Sequence, residues 1–159
     1  MKPFTIAQKD PKLVTLIAKT DHKTLARWTI DCAKRVLPFF EKKYPADKRP
    51  RIALETLQQW IRTGVFSMRV IRKASLDSHA AARDVGEDTP ARSAARASGQ
   101  AVATAHVRTH AIGAAQYALQ ALARTTPNSE QLLLKERLWQ YKQLLRQRKK
   151  RHLSNVSNT

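Results

Sequence analysis

The stretch ATAHVRTHAIGAAQYALQALA, residues 103–123, decides the fold because it is built almost wholly of alanine and other small residues. The alanine-rich composition extends upstream, with 17 alanines among the 50 residues 74–123. Alanine is the strongest helix former, and this region has no run of four or more β-branched residues that would indicate a strand. The sequence therefore predicts an all-α fold.

Small residues recur every three or four positions along residues 90–105, which places them on one face of a helix. They are Ala91, Ala94, Ser98, Ala101 and Ala105. Because short side chains let helix axes approach closely, we expect two helices, 90–105 and 109–124, to form a tight central pair.

The remaining chain also has helical periodicity, with caps and breakers between the segments. We expect a single compact bundle of about six or seven helices over residues 1–153 and a disordered C-terminal tail at 154–159. Large apolar residues should supply the core: Trp28, Leu37, Phe40, Leu54, Leu57, Trp60, Ile112, Tyr117, Leu138 and Trp139.

The last predicted helix, which starts near Ser129, carries an apolar stripe of Leu134, Leu138, Tyr141 and Leu145. We expect this stripe to be buried. Cations follow the same spacing on the adjacent stripe and continue into RQRKKRH. The sequence thus predicts a basic, partner-binding stripe of Lys135, Lys142, Arg146, Arg148, Lys149, Lys150 and Arg151.

The bulk charge indicates a negatively charged partner, since 30 basic residues face 12 acidic ones and the formal net charge is +18. The one cysteine, the absence of a signal-like apolar run and the absence of a membrane-spanning stretch favour a cytoplasmic protein without a membrane partner. Nucleic-acid binding is an alternative because a Lys/Arg-rich stretch is the usual electrostatic footprint, although no known nucleic-acid-binding motif accompanies it.

Two histidines, His106 and His110, lie four residues apart and admit several interpretations. On one straight helix they would share a face and could bind zinc with a third ligand, but no Glu directly follows the first histidine. If Thr109 caps a new helix, they instead mark a corner between two helices. We favour a corner held by hydrogen bonds to backbone or carboxylate groups, with no metal or cofactor.

A third histidine, His79, would share a helix face with Ser75 and Arg83. The chain lacks a G-x-S-x-G nucleophile turn and a glycine-rich phosphate loop, so we expect no catalytic residues and no enzymatic activity. We instead predict a polar cluster beneath a binding surface, formed by His79, His106, His110, Arg83 and Asp77.

The ordered blocks DCAKRVLPFFEKKYPADKRPRIALE, SHAAARD, AARASGQAVATAHVRTHAIGAAQYALQA and ERLWQ resemble immunity proteins encoded in bacterial polymorphic-toxin loci. The likeness spans roughly residues 22–140. It implies a small, all-helical cytoplasmic protein that neutralises a cognate toxin by protein–protein occlusion and has no chemistry of its own. The pattern positions are Asp31, Arg35, Pro38, Asp47, Arg49, Pro50, His79, His106, His110 and Trp139.

The chain departs from this pattern in charge, because such proteins are richer in acidic residues where this sequence has YKQLLRQRKKRH. Charge complementarity between partners raises association rates and selects among partners. The basic surface therefore predicts a toxin with an acidic face.

Overall fold

A computed structural model describes residues 3–158, and this part of the chain forms seven helices and no strand. The helices are α1 Pro11–Ala18, α2 His22–Glu41, α3 Arg49–Thr63, α4 Met68–Val85, α5 Pro90–Ala103, α6 His110–Ala123 and α7 Glu130–Val156. The predicted all-α fold is confirmed. Within the described residues, none of the helices is long and apolar enough to cross a membrane.

The helix ends follow ordinary capping chemistry. The side chains of Asp21 and Ser67 accept hydrogen bonds from the first-turn amides of α2 and α4. Gly64 and Gly86 end α3 and α4 with φ of +69° and +74°, a left-handed conformation that favours glycine. Pro38 lies inside α2, which continues past it to Glu41.

The central helix is α5, which packs against α2, α3, α4 and α6. The predicted small-residue face is buried, as Ala91, Ala94, Ser98, Ala101 and Ala105 are all at most 4% exposed. More than one face of α5 is buried. Residues outside the predicted face that are also buried include Ser93, Ala95, Ala97 and Val102. Small side chains thus let four helices surround one.

Two serine hydroxyls of α4 are paired with backbone carbonyls of α5. Ser78 Oγ donates to the carbonyl of Ala95 at 2.7 Å, and Ser75 Oγ donates to that of Gly99 at 3.0 Å. Since an unpaired buried hydroxyl is costly, these bonds fix how α4 sits on α5.

The predicted buried face of α7 is wrong. Leu134, Leu138 and Leu145 are 53%, 54% and 42% exposed. The inner face instead carries Leu133, Glu136, Gln140 and Leu144, and α7 packs on α2 and α6 through it. The helix is therefore turned by about 100°, or one residue, from the predicted orientation.

Polar contacts explain this orientation. Glu136 accepts two hydrogen bonds from Arg35 of α2, at 2.7 and 2.8 Å. The side-chain amide of Gln140 donates to the carbonyl of Ala115 at 3.0 Å, and the backbone carbonyl of Gln140 accepts from Trp28 Nε1 at 2.8 Å. Turning the leucines inward would break these bonds, leave Trp28 Nε1 without its acceptor and expose Leu133 and Leu144, so it would gain little apolar burial.

The predicted core is otherwise mostly buried. Trp28, Leu37, Phe40, Leu54, Leu57 and Trp60 are at most 8% exposed. Ile112, Tyr117 and Trp139 are partly buried at its edges. Leu138 is the exception, because it lies on the outer face of α7.

At the C-terminus α7 continues through Val156, three residues into the segment 154–159 that we expected to be disordered, and Thr159 lies outside the described residues. The sequence there has no helix breaker, and Ser154 Oγ bonds back to the carbonyl of Lys150.

The orientation of α7 predicts opposite outcomes for two neighbouring substitutions. Gln140→Ala should lower the free energy of unfolding by about 1–3 kcal/mol, because it removes a fully buried side chain together with its bond to the carbonyl of Ala115 and leaves a cavity between α7 and α6. Leu138→Ala should change it by less than about 0.5 kcal/mol, because the side chain is exposed. Urea denaturation of both variants measures this difference, and a larger loss for Leu138→Ala would refute the orientation.

Candidate functional site

His106 and His110 lie at a corner between two helices. α5 ends at Ala103 and α6 begins at His110, so His106 lies in the connection rather than on a shared helical face. This is the corner arrangement that a helix start at Thr109 predicted, although the Thr109 side chain makes no capping bond.

The corner is held by an amide, not by the backbone or carboxylate partners that we expected. His110 Nδ1 lies 2.8 Å from Oε1 of Gln100, which joins α6 to α5. His106 is exposed, and its ring stacks on Phe66 with 6.4 Å between centroids. The carboxylate expected in this cluster, Asp77, pairs with Lys73 instead.

His79 lies half-buried on α4 against the backbone of α5. A Cβ added to Gly99 would lie 2.8 Å from His79 Nε2, so glycine makes room for the ring. His79 Nδ1 is buried without a hydrogen-bond partner among the described residues. Desolvation, together with the charges of Arg96, Arg83 and His110, lowers the pKa of His79 to about 4. Desolvation, and secondarily His106, also lowers the pKa of His110.

The predicted polar cluster thus contains the three histidines but not its carboxylate. Asp77 pairs with Lys73 one turn earlier on α4, and Arg83 is exposed near the helix end. Within residues 3–158, no group of three His, Cys, Asp or Glu side chains is placed to hold a metal ion. His79 and His110 therefore fill a seam between α4, α5 and α6, where burial disfavours their charged forms, and His106 lies exposed beside this seam.

Sequence reasoning missed an exposed apolar surface beside this seam. A groove of about 270 Å³ is lined by Met68, Leu76, His106 and His110, among others. Phe66, Met68, Leu76 and Val107 are each more than a third exposed. The sequence VFSMRV, residues 65–70, could have indicated this surface, because its apolar residues do not fall on the face that helical periodicity predicts to be buried.

The predicted basic stripe divides into two groups. Lys135, Lys142, Arg146, Lys149 and Lys150 are exposed on α7, and none of them forms an ion pair within residues 3–158. These five cations are available to a partner.

The other two predicted stripe residues serve the fold. Arg148 donates to the carbonyl of Lys19 at 2.7 Å and to Thr20 Oγ1 at 2.8 Å. Arg151 lies 2.8 Å from Asp21, the capping residue of α2. Both side chains therefore tie α7 to the turn between α1 and α2.

Comparison with protein families gives one match. The family described as Imm-5 like putative immunity protein matches residues 15–147, which is most of the chain. The chain belongs to this family. No curated protein and no solved structure shows significant similarity to it.

Several pattern positions of this family resemblance are structural in this Imm-5 like protein. Arg35 pairs with Glu136, and its guanidinium carbon lies 3.9 Å from the ring centroid of Trp139. Arg49 pairs with Asp47 at 2.6 Å and with Asp84 at 2.7 Å, which joins the loop before α3 to the end of α4. The side-chain bond to Arg49 lowers the pKa of Asp47.

The contact of His79 with Gly99 predicts a coupled pair of substitutions. Gly99→Ala should cost about 1–3 kcal/mol by overpacking, although alanine is the better helix former by about 1 kcal/mol. In a His79→Ala background the same change should become neutral or stabilising. Gly113→Ala is the control, because its Cβ would meet the side chain of Gln100 and not that of His79, so its effect should be the same in both backgrounds. Equal costs of Gly99→Ala in both backgrounds, measured by urea denaturation, would contradict the contact.

The lowered pKa of His79 predicts a pH dependence of stability. The unfolded chain, with a histidine pKa near its ordinary 6.5, binds the proton more tightly than the folded protein does. The free energy of unfolding should therefore fall between pH 6.5 and pH 4, by about 1–2 kcal/mol from this group because its ring is only partly buried. In His79→Gln that fall should be smaller, as measured by denaturation across this range. An unchanged pH dependence would show that His79 is not responsible.

Proposed function

We propose that this protein is a bacterial immunity protein that binds a cognate polymorphic toxin in the cytoplasm and neutralises it by covering its active surface. The observation that carries this proposal is the family match over residues 15–147. In this account the protein performs no catalysis and needs no cofactor. Its contribution is a rigid helical scaffold that presents a preformed surface.

The charge distribution supports an acidic toxin face as the target. The chain carries a formal net charge of +18, and residues 127–159 contain eight basic and two acidic side chains. One of those two acids, Glu136, is buried in its pair with Arg35. The outer face of α7 therefore has a strongly positive potential, which accelerates association with an acidic partner.

Co-expression tests the proposal directly. The toxin encoded by the neighbouring gene should stop growth when it is expressed alone, and growth should return when this protein is expressed with it. A toxin that remains lethal in the presence of well-expressed, folded protein would remove the proposed function. If the purified protein ignored that toxin but bound nucleic acid with steep salt dependence, the nucleic-acid alternative would replace it.

Charge reversal on α7 should slow toxin binding. The triple variant Lys135→Glu, Lys142→Glu, Lys149→Glu should reduce the association rate about tenfold at low salt, and the deficit should shrink at high salt. The matched control is Lys42→Glu, Lys43→Glu, Lys48→Glu, which makes the same charge change near the α2–α3 loop. Surface plasmon resonance measures both rates. Equal slowing by both triples would mean that only net charge matters.

A further inference from the structure

The exposed apolar residues of α7 form a continuous line, which we call the leucine seam: Leu134, Leu138, Tyr141 and Leu145. The three leucines are 42–54% exposed, and Tyr141 is partly buried. Spacings of four, three and four residues keep the seam on one side of the helix for about 16 Å. A contiguous apolar line on the surface of a highly charged protein indicates an interaction site.

The first three residues of the seam form one wall of a groove of about 580 Å³. Leu134, Leu138 and Tyr141 face the segment Gln8–Lys12, which precedes and begins α1. Gln116 of α6 fixes this segment, because its amide donates to the carbonyls of Ile6 and Gln8 at 2.7 and 2.9 Å. Leu13, one residue further on, is buried in the same cluster as Leu144. Both walls are therefore held in place without a partner.

The rim of the groove is positively charged. Lys9, Lys12 and Arg137 line it, and Lys142 lies beside Leu138 and Tyr141 on α7. The one carboxylate in the lining, Asp10, caps α1 by accepting a hydrogen bond from the amide of Lys12. Glu130 lies one turn before Leu134, beyond the end of the groove. The lining thus holds three cations against one carboxylate around an apolar floor, which favours an occupant with apolar and acidic side chains.

A second copy of this chain is a poor occupant. Pairing two seams would bring Lys9, Lys12 and Arg137 of one molecule against the same cations of the other, between proteins that each carry +18. Like-charge juxtaposition at an interface is strongly unfavourable. The charge pattern thus selects a partner of opposite sign.

We propose that the groove between α1 and α7 binds an acidic amphipathic helix of the toxin. The inference rests on the proposed function and specifies which surface performs it. A helix matches the seam because apolar residues at spacings of three and four pack against an equivalent line on a second helix, as in helix-in-groove recognition. Aspartate or glutamate residues flanking that line would meet Lys9, Lys12, Arg137 and Lys142.

The test uses the purified toxin domain encoded by the neighbouring gene, in an inactive form, and full-length variants of this protein. The double variant Leu134→Ala, Leu138→Ala removes the apolar contacts of the groove. The matched control, Leu132→Ala, Leu153→Ala, removes two leucines that lie on the same helix outside the groove lining. Circular dichroism and thermal unfolding check that both remain folded. Titration calorimetry measures binding, and co-expression measures protection.

The expected result is a dissociation constant raised at least about tenfold for the groove variant, with loss of protection, and a change of less than about threefold for the control. Arg137→Glu should also weaken binding, and the loss of affinity should be greater at low salt than at high salt. If the wild type binds the toxin and the groove variant binds equally well, the inference is wrong while the proposed function stands. If the wild type does not bind, both fail.

Self-association provides a separate outcome. Analytical ultracentrifugation of the free protein should show a monomer for the wild type and for the groove variant. A wild-type dimer that Leu134→Ala, Leu138→Ala dissociates would assign the groove to a second copy and overturn the inference.

Discussion

The ion pair between Arg35 and Glu136 fixes which side of the last helix meets the core. Glu136 is almost fully buried, and a lone carboxylate in that place would cost several kcal/mol. Gln140 and Gln147 extend the contact, the first to the carbonyl of Ala115 and the second to Asp31 at 2.6 Å. Because polar groups hold α7 in this orientation, Leu134, Leu138 and Leu145 are left exposed on its outer face.

The rest of the bundle depends on small side chains. The buried residues of α5 are no larger than valine and lie on nearly all sides of the helix. Helices α2, α3, α4 and α6 can therefore pack on it directly. The close approach also creates the histidine seam, since His79 fits only where Gly99 has no side chain. The corner is thus a consequence of tight packing, and the basic outer helix is the part free to recognise a partner.

Much of this architecture could be predicted from the sequence. Alanine content and the spacing of small residues predicted the central helix pair, and the caps and breakers between periodic segments predicted a bundle of about six or seven helices. The position of Thr109, as a possible start of a new helix, predicted the corner at His106 and His110. Short helix α1 was not singled out, because it has eight residues and its packing partners are distant in sequence.

The orientation of α7 could not be predicted from periodicity. Leucines occur in adjacent positions at 133–134 and 144–145, so two faces one residue apart are nearly equally apolar. The choice between them is made by Arg35, Trp28 and Asp31, about a hundred residues away in sequence. Because of the same ambiguity, the sequence did not predict that the leucine seam is exposed. Nor did it predict that Arg148 and Arg151 bind groups near the start of the chain.

Thiol labelling tests the orientation of α7 most directly. The native cysteine, Cys32, is buried and burial raises the pKa of its thiol, so the wild type should react slowly with a maleimide. Leu138→Cys should then react at nearly the rate of a free thiol, whereas Leu144→Cys should react only upon unfolding. The reverse order in folded protein would mean that the leucine seam is part of the core, and the account of how this surface recognises a partner would be wrong.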